Sequence, residues 1–335
     1  MESLPSTRPI WTALHASLHR TLRQRQLLEK SQRLLIAVSG GQDSLGLLKL
    51  LLDLQPKWGW ELAIAHCDHR WRPDSAANAA HVEHLAQAWQ LPFYSQVAVE
   101  VPRAEAEARE WRYGVLAEIA ESNHYRYVVT GHTASDRAET LLYNLCRGSG
   151  TDGLQALAWQ RSLGTQTQLV RPLLGITRAE IKLFCQTFHL PIWEDATNQD
   201  LKYARNRIRR EVLPYLQAHF NPQVEQALAQ TAEVLRAEVD YLENAAAVLL
   251  QEARLPSESS QVGFLRLNRH TLRQAPLALQ RRVVRQFLQQ TLLSMPSFEQ
   301  IEAMTTLIQA ANRTRSQPFA GGIIAEVADP WILLK

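Results

Sequence analysis

The chain has 335 residues, of which 46% are hydrophobic, and its formal net charge at pH 7 is +3. This length predicts two domains of about 100–200 residues each, and no apolar run approaches the roughly 20 residues that span a bilayer. The start of the chain, 1–8, lacks the pattern of a secretory signal. Three isolated cysteines without Cys-x-x-Cys spacing fit a reducing cytoplasm and argue against disulfides or a zinc finger: Cys67, Cys146 and Cys185.

Strands and helices alternate through the first half of the chain. A helix over 11–28 is followed by predicted strands at 34–38, 61–66, 93–99 and 127–130. Predicted helices follow these strands at 45–54, 76–89, 104–121 and 135–146. This order predicts an α/β fold with a doubly wound, Rossmann-like parallel sheet, whose ligand lies at the carboxyl ends of the strands.

The second half of the chain is mainly helical. We predict a last strand at 169–173, then helices at 178–188, 203–219, 224–252, 276–293 and 297–311, with a short strand at 262–267. Gly321-Gly322 separates two short apolar runs and predicts a terminal hairpin. The predicted organisation is therefore a first domain over 1–220, a smaller and mainly helical domain over 223–315, and a hairpin over 316–335 without a further domain.

The stretch Ser39-Gly40-Gly41-Gln42-Asp43-Ser44 joins a predicted strand to a predicted helix. Glycines allow a close approach of the backbone to a ligand, and the first amides of a helix bind anions. Asp43 would repel a bare phosphate, so its presence indicates Mg²⁺ between it and the phosphates. The stretch matches neither the Walker loop nor the dinucleotide fingerprint. The alternative is a turn that merely connects the two elements.

A second group of polar residues follows the fourth predicted strand, at 131–140. Asp136 and Glu139 are three residues apart, on one face of a helix start. They could bind a metal, hold a substrate ammonium group or act as a base, although acidic residues also simply favour a helix N-terminus. The glycine-rich segment that follows, 147–154, contains Arg147 and suits a loop against a ligand, or a plain helix cap.

Two further segments have a functional and a structural interpretation. His66-Cys67-Asp68-His69 resembles a metal cluster, but alternating directions along a strand favour a pocket wall instead. The run 205–210 has four arginines in six positions, which suits a phosphate backbone. A second basic group comprises Arg281, Arg282 and Arg285, and it is equally consistent with a solvated helix face balanced by acids.

Ser39–Ser44 resembles the pyrophosphate loop (PP-loop) of the AMP-forming ATP pyrophosphatases. Eight segments in order further resemble the tRNA(Ile)-lysidine synthetases, over about residues 30–215. They are 39–44, 66–72, 108–113, 131–140, 147–154, 171–174, Trp193-Glu194-Asp195-Ala196-Thr197-Asn198 and 205–209.

The resemblance implies a cytoplasmic ligase that uses ATP and Mg²⁺. Its RNA partner would be tRNA(Ile) with a CAU anticodon, and its second substrate would be free L-lysine. ATP would adenylate the C2 oxygen of the wobble cytidine with release of pyrophosphate. The ε-amine of lysine would then attack C2 and displace AMP, forming lysidine.

The resemblance also implies the site residues. ATP would be bound by Ser39, Gly40, Gly41, Gln42, Asp43, Ser44, His66, Gly131 and His132, with Mg²⁺ held by Asp43 through the phosphates. The catalytic residues would be Asp43, Asp136, Glu139, Arg112 and Arg207. Lysine or tRNA would be held by Asp136, Glu139, Arg109, Arg147, Arg205 and Arg207.

Two positions depart from the family pattern, and three rival functions stay open. Ser135 stands where the first acid of an Asp-Asp pair is usual, and Arg70-Trp71 stands where Gly-Leu is usual. The rivals are a tRNA thiolase of the same loop group, an ATP-dependent ligase for a small molecule, and a non-catalytic tRNA-binding module. The oligomeric state also stays open, with a homodimer as one option.

Overall fold

The computed structural model describes residues 11–194, 200–254, 265–292 and 295–335. Of the eight resembling segments, part of the seventh (195–198) lies outside these residues, as does part of the strand predicted at 262–267. The chain forms two compact units, Met1–Val234 and Leu235–Lys335. The boundary between the two units lies within one long helix, α10 (Val224–Arg254). The domain limits read from the sequence stay a prediction.

The first unit contains one sheet and the helices that cover it. Its strands are β1 (Arg33–Ala37), β2 (Glu61–Asp68), β3 (Phe93–Val97), β4 (Tyr127–Thr130), β5 (Gln160–Ser162) and β6 (Gln168–Val170). Its helices before α10 are α1 (Ala13–Gln24), α2 (Gln42–Trp58), α3 (Ser75–Ala88), α4 (Glu105–Ser122), α5 (Ala134–Cys146), α6 (Thr151–Leu154), α7 (Arg178–Thr187), α8 (Ala204–Arg207) and α9 (Leu213–His219).

The six strands have the order β3-β2-β1-β4-β6-β5, and all are parallel except β5 at the edge. This confirms the predicted doubly wound sheet and adds one antiparallel strand. Successive residues of β1 enter different cores, because side chains alternate along a strand: Leu34 and Ile36 pack on one side and Leu35 on the other. Both faces are therefore covered, as parallel sheets require.

The order of the strands reverses between β1 and β4, which are neighbours in the sheet. The carboxyl ends of these two strands consequently lie side by side, and a crevice opens there in folds of this kind. A Cβ added at Gly131, after β4, would lie 2.7 Å from the backbone oxygen of Asp43 at the start of α2. The two predicted site segments are thus in direct contact, and glycine permits that contact.

The single helix predicted at 203–219 has three parts. Between α8 and α9 lies a π-helical turn, Ile208–Val212. Pro214, near the start of α9, has no backbone N–H to give to the preceding turn. The wider π turn follows from that missing donor.

The second unit has its own core. It contains the last part of α10, then β7 (Arg266–Asn268), α11 (Arg269–Arg273), α12 (Leu277–Gln289), α13 (Phe298–Leu307), β8 (Ala325–Ala328) and β9 (Trp331–Leu334). The strands form an antiparallel sheet of order β7-β9-β8, packed in a core with Val283, Phe287 and Met304. The predicted hairpin is β8–β9, but its turn is Asp329-Pro330 and not Gly321-Gly322. Within the described residues, no helix is long and apolar enough to cross a membrane.

Candidate active site

The loop after β1 has the geometry of an anion cradle. Gly40 has a φ of +85°, a conformation that favours glycine. Its position is crowded as well, since a Cβ there would collide with Asn78 Oδ1. Gly41 is the N-cap of α2 and has no side chain to bond the first amides of that helix, whereas its own N–H donates to the Ser39 hydroxyl at 3.4 Å. Ser39 and Ser44 hydroxyls lie 3.2 Å apart and fix the loop from inside.

A cavity of about 680 Å³ opens at the carboxyl ends of β1, β2 and β4. Its walls include most of the residues predicted from the sequence: Ser39, Gly41, Gln42, Asp43, Ser44, His66, Arg109, Arg112, Gly131, His132, Asp136, Glu139 and Arg205. The volume is typical of a site for a small molecule or a nucleotide. The β2 segment that resembles a metal cluster lies in this wall, where His66 Nδ1 bonds the carbonyl of Val38 at 2.8 Å. Burial lowers the pKa of His66.

Three carboxylates in the cavity meet on one guanidinium, that of Arg178. Its Nε lies 3.1 Å from Asp43 Oδ2, its Nη2 lies 2.7 Å from Asp136 Oδ1, and its Nη1 lies 2.8 Å from Glu139 Oε1. Arginine suits this place because its donors form a rigid fork. We did not predict Arg178 from the sequence, since a lone arginine at a helix start carries no local signal.

A second arginine binds the same acidic group. Arg209 forms a bidentate pair with Glu139, with distances of 2.7 Å from Nε to Oε1 and 2.9 Å from Nη2 to Oε2. Arg205 is also in the cavity wall and bonds Glu105 at 3.0 Å. Residues four apart in a helical segment share a face, so Arg205 and Arg209 lie together.

The structure places two other predicted arginines differently. Arg207 Nη1 donates to the carbonyls of Leu201 and Lys202, at 2.9 and 3.1 Å. Arg147, at the end of α5, lies over the ring of Tyr143 with its guanidinium carbon 5.4 Å from the centroid. Neither is among the described residues that line the cavity. Their predicted roles stay predictions, whereas Arg209 of the same run contacts Glu139.

The carboxylate of Asp136 caps the start of α5 with one oxygen and bonds Arg178 with the other. Its Oδ2 accepts hydrogen bonds from the N–H and the hydroxyl of Thr133, which completes a capping box. Burial opposes its ionisation, but Arg178, His132 and the Thr133 donors hold the pKa of Asp136 below its usual range. Burial, aided by Arg171, Arg109 and Arg112, lowers the pKa of His132. The capping role of Asp136 is thus confirmed, and its carboxylate bonds Arg178 as well, while its predicted role in the reaction stays a prediction.

Asp43 differs electrostatically from Asp136. Burial raises the pKa of Asp43 to about 6, with Asp136 acting in the same direction and Arg178 against it. Three carboxylates face two guanidinium groups here, so the formal charge of the group is negative. A carboxylate in that position favours an additional cation. Its oxygens are also the ligand type that Mg²⁺ prefers.

One wall of the cavity is cationic. Arg109 and Arg112 are on α4 and line the cavity. Burial lowers the pKa of Arg109, and Arg205, Arg171 and Arg112 act in the same direction. Such crowding of like charges suits an anion such as a phosphate.

The three residues that depart from the family pattern all make local hydrogen bonds. Arg70 has a φ of +60°, where glycine is favoured, and its N–H bonds Asp68 Oδ1 at 2.7 Å. Trp71 lines the cavity, with its Nε1 bonded to the carbonyl of Pro102 at 2.7 Å. Ser135, buried at 1% exposure, accepts a hydrogen bond from the N–H of Arg178 at 3.0 Å and donates one to Glu225.

Comparisons with known proteins show which family the chain belongs to. A PP-loop domain model matches residues 12–216, and a TilS substrate binding domain model matches residues 267–322. A curated tRNA(Ile)-lysidine synthase from Nostoc sp. is 62% identical, over 97% of this chain and 98% of its own length. Those from a Synechococcus sp. and from Gloeobacter violaceus are 53% and 50% identical, each over 97% of its own length and over 97% and 96% of this chain.

Among solved structures, the U34-tRNA thiolase NcsA from Methanococcus maripaludis superposes with a TM-score of 0.56. The match covers 67% of this chain and 78% of that one at 13% identity, so it shows a shared fold only. The sequence matches go further, because they span almost the whole chain and place the cavity in the PP-loop domain. The chain is a member of the tRNA(Ile)-lysidine synthase family.

Proposed function

We propose that this protein joins free L-lysine to C2 of the wobble cytidine of tRNA(Ile) with a CAU anticodon. The reaction consumes ATP and releases AMP and pyrophosphate. The modified tRNA would then read AUA and carry isoleucine. The observation that carries this proposal is that an anion-binding loop and an acidic group open into one cavity. An ATP-dependent addition of an amine needs both in one place.

The first step uses the loop after β1. The amides at the start of α2 and the Ser39 and Ser44 hydroxyls would hold the β- and γ-phosphates of ATP. The cytidine C2 oxygen attacks the α-phosphorus, and the bond from that phosphorus to the bridging oxygen breaks, releasing pyrophosphate. Mg²⁺ held by Asp43 would neutralise the charge of this leaving group. The negative charge of the three carboxylates and the fit of the glycine turn support both ligands.

The second step uses the acidic group. The ε-amine of lysine attacks C2, and the bond from C2 to the adenylated oxygen breaks, releasing AMP. An amine attacks only when neutral, whereas the ordinary pKa of lysine is about 10.4. Asp136 and Glu139 would bind the ammonium form, and one of them would take its proton.

Arg178 bears directly on that second step. It already donates to both acids, at 2.7 and 2.8 Å. A carboxylate oxygen accepts more than one hydrogen bond, so lysine can share these acids with Arg178 rather than meet a free pair. We propose that Arg178 holds the two carboxylates in place until lysine binds.

The tRNA would approach along the cationic wall. Arg109, Arg112 and Arg205 line the cavity and present planar donors that suit phosphates. The match of residues 267–322 to a substrate binding domain supports a contribution of the second unit. The choice of lysine as the nucleophile rests on membership of the tRNA(Ile)-lysidine synthase family.

The test is incorporation of radiolabelled lysine into tRNA transcripts with ATP and Mg²⁺, followed by digestion to nucleosides. A CAU transcript should yield one labelled, modified cytidine, and a matched transcript with uridine at the wobble position should yield none. Asp43→Ala should abolish the label. Absence of label in the CAU transcript, from folded protein, would contradict the proposal.

A further inference from the structure

Helix α10 contacts both residues that flank Asp136. Ser135 donates its hydroxyl hydrogen to the carboxylate of Glu225. Arg137, buried at 1% exposure, lies with its Nη1 2.8 Å from Glu233 Oε2. Glu225 and Glu233 are eight residues apart on α10, so they point from the same side of that helix. Two carboxylates of α10 therefore bond the two residues of α5 that precede and follow the candidate catalytic acid.

The Ser135 hydroxyl both donates and accepts a hydrogen bond. It gives its one hydrogen to Glu225, and it accepts the backbone N–H of Arg178 at 3.0 Å. That N–H is one of the amides at the start of α7 that have no partner within the helix. A second bond, from the N–H of Ala134 to the carbonyl of Ile176 at 2.8 Å, also joins the two helix starts. The main chain of Arg178 is therefore tied to Ser135, and Ser135 is tied to Glu225.

The position of Arg178 decides the arrangement of three carboxylates. Its side chain bonds Asp43, Asp136 and Glu139 at distances between 2.7 and 3.1 Å. A shift of its backbone would weaken all three bonds together, because a guanidinium is rigid. Glu225 itself is not among the described residues that line the cavity.

We infer that Glu225 is a positioning residue for the lysine site, acting through Ser135 on Arg178. An acid on α10 is thus connected to the site through a serine hydroxyl. The inference rests on the proposed function and goes beyond it, since it names a residue outside the cavity wall that holds Arg178 in place. It also predicts that positions 135 and 225 cannot both carry a carboxylate, because like charges in contact without a proton between them repel.

The test moves the carboxylate from position 225 to position 135. Ser135→Asp should lower kcat/KM for lysine by about 10-fold or more, through KM, because it faces Glu225 without a hydrogen to donate. Adding Glu225→Gln should restore kcat/KM to within about 3-fold of the wild type, since the amide N–H can donate to the new carboxylate. Glu225→Gln alone should raise KM for lysine less than Glu225→Ala does, because its amide oxygen still accepts the hydrogen bond from Ser135, although more weakly than a carboxylate.

Alanine variants, which remove one group without adding a charge, provide a second test in case Ser135→Asp does not fold. Glu225→Ala and Ser135→Ala should each raise KM for lysine about 5- to 10-fold, and the double variant should cost no more than either. Glu238→Ala removes an exposed acid from the same helix and serves as the matched control. Thermal unfolding of every variant shows which are folded.

The outcomes are distinct. Rescue of Ser135→Asp by Glu225→Gln supports the inference, whereas a merely structural contact would not give rescue in KM for lysine. If Ser135→Asp does not fold, a Glu225→Ala variant that behaves like Glu238→Ala overturns the inference. A folded double variant as impaired as Ser135→Asp also overturns it. A wild-type protein that incorporates no lysine contradicts the proposed function, and the inference with it.

Discussion

The two arginine groups of this protein look alike in sequence and differ in what they contact. In the first unit, Arg209 and Arg178 converge on acids that line a cavity. In the second unit, Arg282 and Arg285 both pair with Glu243, and Arg281 pairs with Glu302 at 2.6 Å. Glu243 and Glu302 are thus paired with arginines of the same unit.

The difference shows that a run of arginines predicts little until its acids are located. In the first unit three carboxylates share two guanidinium groups, which leaves room for a further cation. In the second unit two carboxylates meet three guanidinium groups, which makes a structural cluster. The interpretation of Arg281–Arg285 as a balanced helix face is therefore favoured over direct phosphate binding by these three residues.

The largest expected effect is at Arg178. Arg178→Ala should lower lysine incorporation by about 100-fold or more, because three carboxylates lose their common donor and repel one another. Arg178→Lys should recover only part of the rate, since a lysine lacks the fork that reaches all three acids. Steady-state assays with both variants test this. Activity of Arg178→Ala within 3-fold of the wild type (about 0.6 kcal/mol) would remove Arg178 from the site.

A matched pair sharpens the contrast within the first run. Arg209→Gln should reduce lysine incorporation by about 10- to 100-fold, because Glu139 loses a bidentate partner. Arg207→Gln should reduce it less, since Arg207 bonds backbone carbonyls of its own loop. The opposite ranking in the same assay would favour the role read from the sequence for Arg207.

The second unit should respond in stability rather than in catalysis. The side chain of Arg282 is only 11% exposed and pairs with Glu243. Arg282→Gln should lower the free energy of unfolding by about 1–3 kcal/mol and change KM for tRNA little. Chemical denaturation and tRNA titration measure the two quantities. A rise of about 10-fold or more in KM for tRNA, about 1.4 kcal/mol, with unchanged stability, would make this cluster an RNA contact.

The smallest effect should come from the cysteines. Burial raises the pKa of both Cys67 and Cys185 to about 12. Such thiols stay protonated and are poor nucleophiles. Replacing Cys67, Cys146 and Cys185 with serine should leave the rate of lysine incorporation within about 3-fold of the wild type. Loss of activity in a folded triple variant would reopen the sulfur-transfer alternative.

Most of the fold could be predicted because its signals are local. Apolar runs followed by glycine turns mark β1 and β4, and the predicted limits of β4 match the structure. β5 was missed because its three residues are exposed at the edge and have no apolar pattern. The terminal turn was misplaced because Gly321-Gly322 is the stronger turn signal, although the chain reverses at Asp329-Pro330.

The residues of the candidate site likewise divide into those with a local sequence signal and those without one. Asp43 and Asp136 could be predicted because each follows a strand within a recognisable segment. Arg178 could not, since its partner Asp43 is 135 residues away along the chain. The contact between Ser135 and Glu225 spans 90 residues, and only the fold brings the two together.

The central claim is that one cavity carries both steps of the reaction. The most direct measurement follows pyrophosphate release, AMP release and lysine incorporation side by side, with CAU transcript, in the wild type, Asp43→Asn and Glu139→Gln. We predict equal amounts of the three products in the wild type and none in Asp43→Asn. Glu139→Gln should still release pyrophosphate in a tRNA-dependent manner but incorporate no lysine. Normal lysine incorporation by either variant would contradict the account.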